Sequence, residues 1–201
     1  MKKIVAVYGS PRRKGNTSTL LSRAVAGARE EGAEVVEFVL RDLKISPCLE
    51  IYGCKKDGRC VIRDDFHVLA DAVFSADALM LASPVFFYAV SAHTKAFMDR
   101  CQSLWVKKYW IENAARRPKT RQALFIAAGA TQGKKLFDGI LLSVRYFLDV
   151  FDAELTGTLL YRGLEDEGDA AAQPQILAQA FQAGRDLALG RMQDRGPGSA
   201  P

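Results

Sequence analysis

Apolar residues along this chain fall into two alternating patterns. Short, β-branched runs fit strands, and longer segments whose apolar positions recur at helical spacing fit helices. The pattern predicts a first strand from Ile4 to Tyr8, then a helix from Asn16 that carries Leu20, Leu21, Ala24, Val25 and Ala28 on one face. Glu30-Glu31-Gly32-Ala33 closes that unit, and a second strand runs from Glu34 to Leu40. An irregular connection over 41–63 follows. Asp64-Asp65 then opens a helix with Phe66, Leu69, Ala70, Val73 and Phe74 inward. A third strand spans Ala78 to Ala82 and ends at Ser83-Pro84, and an amphipathic helix spans Val90 to Leu104. Trp105, Tyr109 and Trp110 lie in an excursion over 105–120, before a fourth strand from Gln122 to Ala128. Beyond the small-residue loop Gly129 to Gly133, the pattern predicts a helix from about Lys135 to Phe151, a fifth strand from Glu154 to Tyr161 and a last helix from Gln173 to Met192.

Strands alternating with helices imply an α/β three-layer sandwich, a five-stranded parallel sheet with helices on both faces. Order 2-1-3-4-5 is one of two common solutions for such a sheet. It places the loops after strands 1 and 3 side by side at the switch point, where open α/β sheets bind ligands.

Composition narrows the setting. A chain of 201 residues with 49% hydrophobic and 25% charged residues fits one domain, 1–193, with a frayed tail over 194–201. The formal charge is +5. Part of it lies in Arg12-Arg13-Lys14, and part in Lys107-Lys108 and Arg116-Arg117-Pro118-Lys119, which read as an anion-attracting surface or simply as solvated faces. Without zinc-finger spacing or an RNA-binding aromatic motif, nucleic acid is not expected as a partner. No apolar stretch reaches the length of a membrane span, and the run after Met1-Lys2-Lys3 is too short for a secretory signal, so a cytoplasmic location is expected. In that compartment the four cysteines read as thiols, metal ligands or redox groups, not as a disulfide framework.

The loop Gly9 to Gly15 carries the first chemistry. Strand, loop and helix N-terminus together make an anion site from backbone N–H groups and the positive end of the helix. Five residues separate Gly9 from Gly15 and Asn16-Thr17 follows, which departs from the nucleoside-triphosphate loop. The dinucleotide fingerprint is also absent. Ser10, Arg12, Gly15, Asn16, Thr17 and Ser18 suit a terminal phosphate monoester, such as that of FMN. An ordinary strand-to-helix turn is the alternative reading. After the third strand, Pro84 stiffens a turn, and Val85, Phe86, Phe87 and Tyr88 offer backbone amides and flat apolar faces to an isoalloxazine ring. Three successive aromatics also fit a core, although neighbours in sequence cannot all face one way. Gly129 and Thr131, in the loop after strand 4, would allow and make close contact with the same ring. His67 and His93 fall on predicted helices and read as structural.

Gly9-Ser10-Pro11-Arg12 with Gly15-Asn16-Thr17-Ser18 resembles the phosphate loop of the flavodoxin-like NAD(P)H-dependent FMN reductases. Ser83-Pro84-Val85-Phe86-Phe87-Tyr88, Ser91 and Lys95-Ala96-Phe97-Met98-Asp99-Arg100 are similar to their second flavin loop and its helix. The resemblance covers roughly residues 1 to 165. It implies a flavodoxin-like fold, FMN as cofactor and NAD(P)H as electron donor. It also implies a small-molecule acceptor such as a flavin or quinone, and assembly as a homodimer or homotetramer. No acid–base residue is then required of the protein. An electron carrier serving a protein partner is the alternative. The cysteine segment is similar to that of the iron–sulfur flavoprotein branch, whose frame C-x2-C-x2-C-x5-C reads here as Cys48, Ile51, Cys54 and Cys60. Because a four-iron cluster takes four thiolates, Ile51 leaves three readings: a lost cluster, a three-cysteine cluster or zinc site, or a redox thiol pair. Cys101 reads as a small buried hydrophobe.

Overall fold

The computed structural model describes residues 1–114 and 118–192; Arg116 and Arg117 of the expected basic cluster and the expected tail lie outside them. Five parallel strands form one sheet in the order β2-β1-β3-β4-β5. They are β1 (Lys3–Tyr8), β2 (Glu34–Val39), β3 (Ala78–Pro84), β4 (Arg121–Gly129) and β5 (Ala153–Arg162). Each crosses over through helical segments: α1 (Asn16–Glu30), α2 (Phe66–Ser75), α3 (Ala92–Arg100), α4 (Gln102–Val106), α5 (Asp138–Asp149) and α6 (Pro174–Ala188).

Both faces of the central strands are covered, so Ile4, Val5, Ala6 and Val7 are all fully buried. The strand period still sorts them. Val5, Val7, Leu79, Leu81, Phe125 and Ala127 join the core beneath α2, α3 and α5. Ile4, Ala6, Met80, Leu124 and Ile126 join the core beneath α1 and α6. Those last two helices touch backbone to backbone: a Cβ on Gly27 would meet the Phe181 carbonyl, and one on Gly184 the Ala24 carbonyl.

Four predicted elements are redrawn. The strand expected to stop at Ala82 continues in register, Ser83 opposite Ala127 and Pro84 opposite Ala128. The single helix expected from Val90 to Leu104 is divided at Cys101, whose N–H is shared between the Phe97 and Met98 carbonyls. Beyond α4, the supposed excursion begins as a wide π-helical turn, Lys107–Ile111. Lys108 is buried there against Asp149 at 3.3 Å and Asp152 at 3.0 Å. The helix expected from Lys135 starts at Asp138, because Lys134 to Phe137 form a turn that buries Leu136 and Phe137.

Candidate functional site

Loops from the carboxyl ends of β1, β3, β4 and β5 converge. The Gly9 N–H donates to the Ala82 carbonyl at 2.7 Å, Val85 N–H to Ala128 at 2.9 Å and Leu164 N–H to Gly129 at 3.3 Å. Candidates from all three expected loops are thereby brought together, and a fourth loop, after β5, joins them.

The β1 loop has the features of an anion cradle. Gly15 N–H returns to the Arg12 carbonyl, and the first α1 hydrogen bond runs from Thr19 N–H to Gly15. The N–H groups of Asn16, Thr17 and Ser18 therefore precede the intrahelical ladder. No side chain caps this N-terminus, and no acidic residue stands in its first turn. Ser10, Asn16, Thr17 and Ser18 are nonetheless buried. The loop is tightly folded on itself. Ser10 Oγ accepts from Arg12 N–H at 3.1 Å, and Ser18 Oγ donates to the Arg12 carbonyl at 3.2 Å. A Cβ on Gly15 would lie 2.8 Å from Ser10 Oγ.

Two residues do not sit as expected. Asn16 Nδ2 donates to the Asp166 carbonyl at 2.9 Å, and its Oδ1 accepts from Ala170 N–H at 3.0 Å. That amide clamps the β5 loop instead of standing free for a phosphate. Arg12 is exposed, and its guanidinium donates to the Glu165 carbonyl at 3.1 Å. Arg13, beside it, is engaged by Asp42.

Pro84 and Val85 lead into a tight turn in which Phe86 and Ala89 exchange both backbone hydrogen bonds at 2.9 Å. Phe87 and Tyr88 at its centre have φ of 49° and 60°. Positive φ at both central residues is the type I′ turn pattern, which glycine and asparagine favour and aromatics resist. Phe86, Phe87 and Tyr88 are all exposed, Phe87 completely, so none of the three is a core residue. Thr131 is exposed as well, while Gly129 is buried with space for a Cβ limited by Leu136 at 3.1 Å and Val85 at 3.4 Å.

Of the residues that lock the first two loops together, Ser83 and Ser91 belong to the stretch quoted for the resemblance, without this role, and Thr94 was not singled out. Ser91 Oγ donates to the Gly9 carbonyl, lies 3.0 Å from Thr94 Oγ1 and accepts from Thr94 N–H as the cap of α3. Ser91 N–H donates to Ser83 Oγ at 2.9 Å. All three hydroxyl residues are buried, and a Cβ on Gly9 would collide with Thr94 Oγ1. The alternation of small and hydroxylated residues is visible in the sequence, but their mutual contact is long-range. At the rim, Tyr8 donates to Glu37 at 2.5 Å. Burial first, and then that bond, push its phenol far above the ordinary range.

The four cysteines form no disulfide. Cys48 is exposed, Cys54 and Cys60 are half-buried, and Cys101 is buried. Burial first, then its neighbours Cys60 and Cys48, raise the Cys54 thiol; burial pushes Cys101 well up. Ile51, at the second ligand position of the expected frame, is exposed. Among the described residues no three His, Cys, Asp or Glu side chains are grouped to hold a metal ion. A four-thiolate cluster does not fit this arrangement. A cavity of about 670 Å³ also lies elsewhere, between α3–α4 and α5, lined by Met98, Trp105, Tyr109, Leu142 and Tyr146. His67 contacts the Ile62 carbonyl, and His93 is exposed in the first turn of α3, beside Thr94. Among the described residues no helix is long and apolar enough to cross a membrane.

Sheet order and switch-point loops define a flavodoxin-like α/β protein, with the N-terminus of α1 left uncapped beside them. The sequence profile of the NADPH-dependent FMN reductases matches residues 2–138, and the chain belongs to that family. An iron–sulfur flavoprotein of Methanocaldococcus jannaschii is 39% identical over 51% of this chain and 53% of its own. Another, from Archaeoglobus fulgidus, is 41% identical over 53% and 54%. The chain thus spans about half the length of these relatives. A protein of Bacillus subtilis described as a putative NAD(P)H-dependent FMN-containing oxidoreductase is 26% identical over 89% of this chain and 94% of its own. Among solved structures, the NAD(P)H:quinone oxidoreductase of Methanothermobacter marburgensis superposes with a TM-score of 0.70 at 18% identity, covering 92% of this chain and 96% of its own.

Proposed function

We propose that this protein binds FMN and carries electrons from NAD(P)H to a small acceptor, a flavin, a quinone or a similar molecule. The observation that carries the proposal is the uncapped N-terminus of α1 behind a buried Ser/Asn/Thr/Ser loop. Backbone N–H groups of Asn16, Thr17 and Ser18 would hold the phosphate, with the helix dipole behind them. Ser10 and Thr17 hydroxyls would add donors, and Arg12 would supply positive charge at the rim. Asn16 is assigned a positioning role, since its amide holds the loop after β5.

Bound FMN would supply the two-electron chemistry between nicotinamide and acceptor. This chain's own residues bind and orient. The amides around Val85 and Phe86, and the close backbone at Gly129, would lie along the polar edge of the ring. Phe87 and Tyr88, held outward by their turn, would cover a ring face or a stacked nicotinamide. Thr131, exposed in the loop after β4, would contact the ring. No side chain is required to take or give a proton.

Homodimeric or homotetrameric assembly is part of the proposal. It is supported by Leu142 and Tyr146, exposed at 58% and 74% on one face of α5. We also take residues 1–193 as a single domain acting in the cytoplasm.

The test is a binding comparison between FMN and riboflavin on apoprotein. Loss of the phosphate should weaken binding on the order of 100-fold. Anaerobic NADH and NADPH oxidation with free flavin or quinone as acceptor follows. Equal affinity for the two flavins, or none for either, would overturn the assignment of the cradle. FMN binding without turnover by either nicotinamide would favour electron exchange with a protein partner.

A further inference from the structure

The stretch where an iron–sulfur cluster would be expected is held by a network of protein contacts. Arg100, at the end of α3, is 1% exposed. Its guanidinium takes Asp64 in a two-pronged pair, Nη1 to Oδ2 at 2.6 Å and Nη2 to Oδ1 at 3.1 Å. The same nitrogens donate to the Ser46 carbonyl at 3.0 Å and the Ile62 carbonyl at 3.1 Å. The Phe66 ring lies beneath, 4.7 Å away. Asp64 in turn accepts from the N–H groups of Ser46 at 2.9 Å and Phe66 at 3.2 Å. Next to it, Asp65 Oδ2 accepts from Lys44 N–H at 2.7 Å, and Asp65 N–H donates back to Lys44. The two ends of the connection, 44–46 and 62–66, are thus closed onto each other at a neck.

The part beyond the neck is also held. The short turn Gly53–Lys55 packs against α4 and the π-helical turn. Lys55 Nζ stands 4.1 Å from the centre of Tyr52 and 5.5 Å from that of Trp110. A Cβ on Gly58 would press on Lys107. Cys60 lies beside the Arg100 guanidinium, where its sulfur favours the cation.

We propose that Arg100 and Asp64 staple residues 44–66 into their fold without any metal, and that Cys48, Cys54 and Cys60 remain a protein-held thiol group that takes up no iron–sulfur cluster. The donor set agrees. Three sulfurs, an exposed isoleucine in the fourth place, and a buried guanidinium beside one sulfur do not make a four-thiolate cage.

The experiment uses the full chain, purified anaerobically and incubated with ferrous iron and sulfide. Iron and acid-labile sulfide should remain at background after desalting. Amide exchange across 44–66 should be unchanged by a strong chelator and by the triple variant Cys48→Ser/Cys54→Ser/Cys60→Ser. It should quicken on the order of tenfold or more in Asp64→Asn, under conditions where the sheet stays protected. Stoichiometric iron and sulfide, or loss of protection with chelator or in the triple variant, would overturn the proposal. If Asp64→Asn does not fold, the metal assay, chelator and triple-variant arms decide. None of the arms requires flavin, so a failure of FMN binding is separately visible.

Discussion

At the level of single residues, the site depends on atoms that are missing. Gly9 has no room for a methyl group, with Thr94 Oγ1 on one side and the Ala82 carbonyl 2.7 Å from an added Cβ on the other. Gly9→Ala should cost about 1–3 kcal/mol in chemical denaturation. It should also weaken FMN binding, read by fluorescence titration, because the first two loops are pushed apart where Ser91 joins them. The spacing of Gly9, Gly15 and the hydroxyl residues reads along the chain as an anion loop, and the structure leaves the α1 N-terminus behind it uncapped. The orientation of Asn16 was not legible. Its partners lie at Asp166 and Ala170, and a side-chain amide can serve a ligand or a distant backbone equally well by composition. Phe87 makes the opposite case, a bulky residue in a conformation suited to glycine. Since it buries nothing, Phe87→Gly should raise stability by about 1 kcal/mol. Activity with NAD(P)H should fall in the same variant if the ring covers the flavin, and thermal melts paired with turnover assays separate the two effects.

At the level of elements, local pattern located strands well and helix ends poorly. The strands are buried on both faces and bounded by turn residues, so their apolar runs are self-announcing. The helix divided at Cys101 is set by tertiary demands, since Arg100 is drawn inward to Asp64 and no periodicity records that. Asp64 is therefore a sharper probe than its place at a predicted helix start suggests. Burial alone would raise its carboxyl, but Arg100, with the Ser46 and Phe66 N–H groups, outweighs that and holds it below the ordinary value. A carboxyl lowered in the folded state contributes fully above its unfolded value, about 3.9, and loses that contribution as pH falls through the lower folded value. Acid titration should accordingly open residues 44–66 below about pH 4, as exchange or proteolysis would detect. Asp64→Asn should lose about 3–5 kcal/mol at neutral pH, because a buried guanidinium is left without its counter-charge. The double variant Arg100→Met/Asp64→Asn should recover much of that loss, which equilibrium unfolding would measure.

For the molecule as a whole, the α/β class and strand order were readable because five buried strands alternating with amphipathic helices allow few topologies. What one face of α5 does was not readable, because Leu142 and Tyr146 fit the helical pattern whether they meet solvent or a second copy. Leu142→Glu/Tyr146→Glu should shift the protein to a monomer in analytical ultracentrifugation, with the circular dichroism spectrum unchanged. The clamp from Asn16 to residues 166–170 has a consequence in time as well as in space. It ties a loop made early to a segment made about 150 residues later. A nascent chain arrested before residue 163 can build β1 to β4 yet has nothing to close that loop. Stalled chains of that length should bind no FMN in a pull-down that captures the released protein, so cofactor loading would wait for the segment after β5.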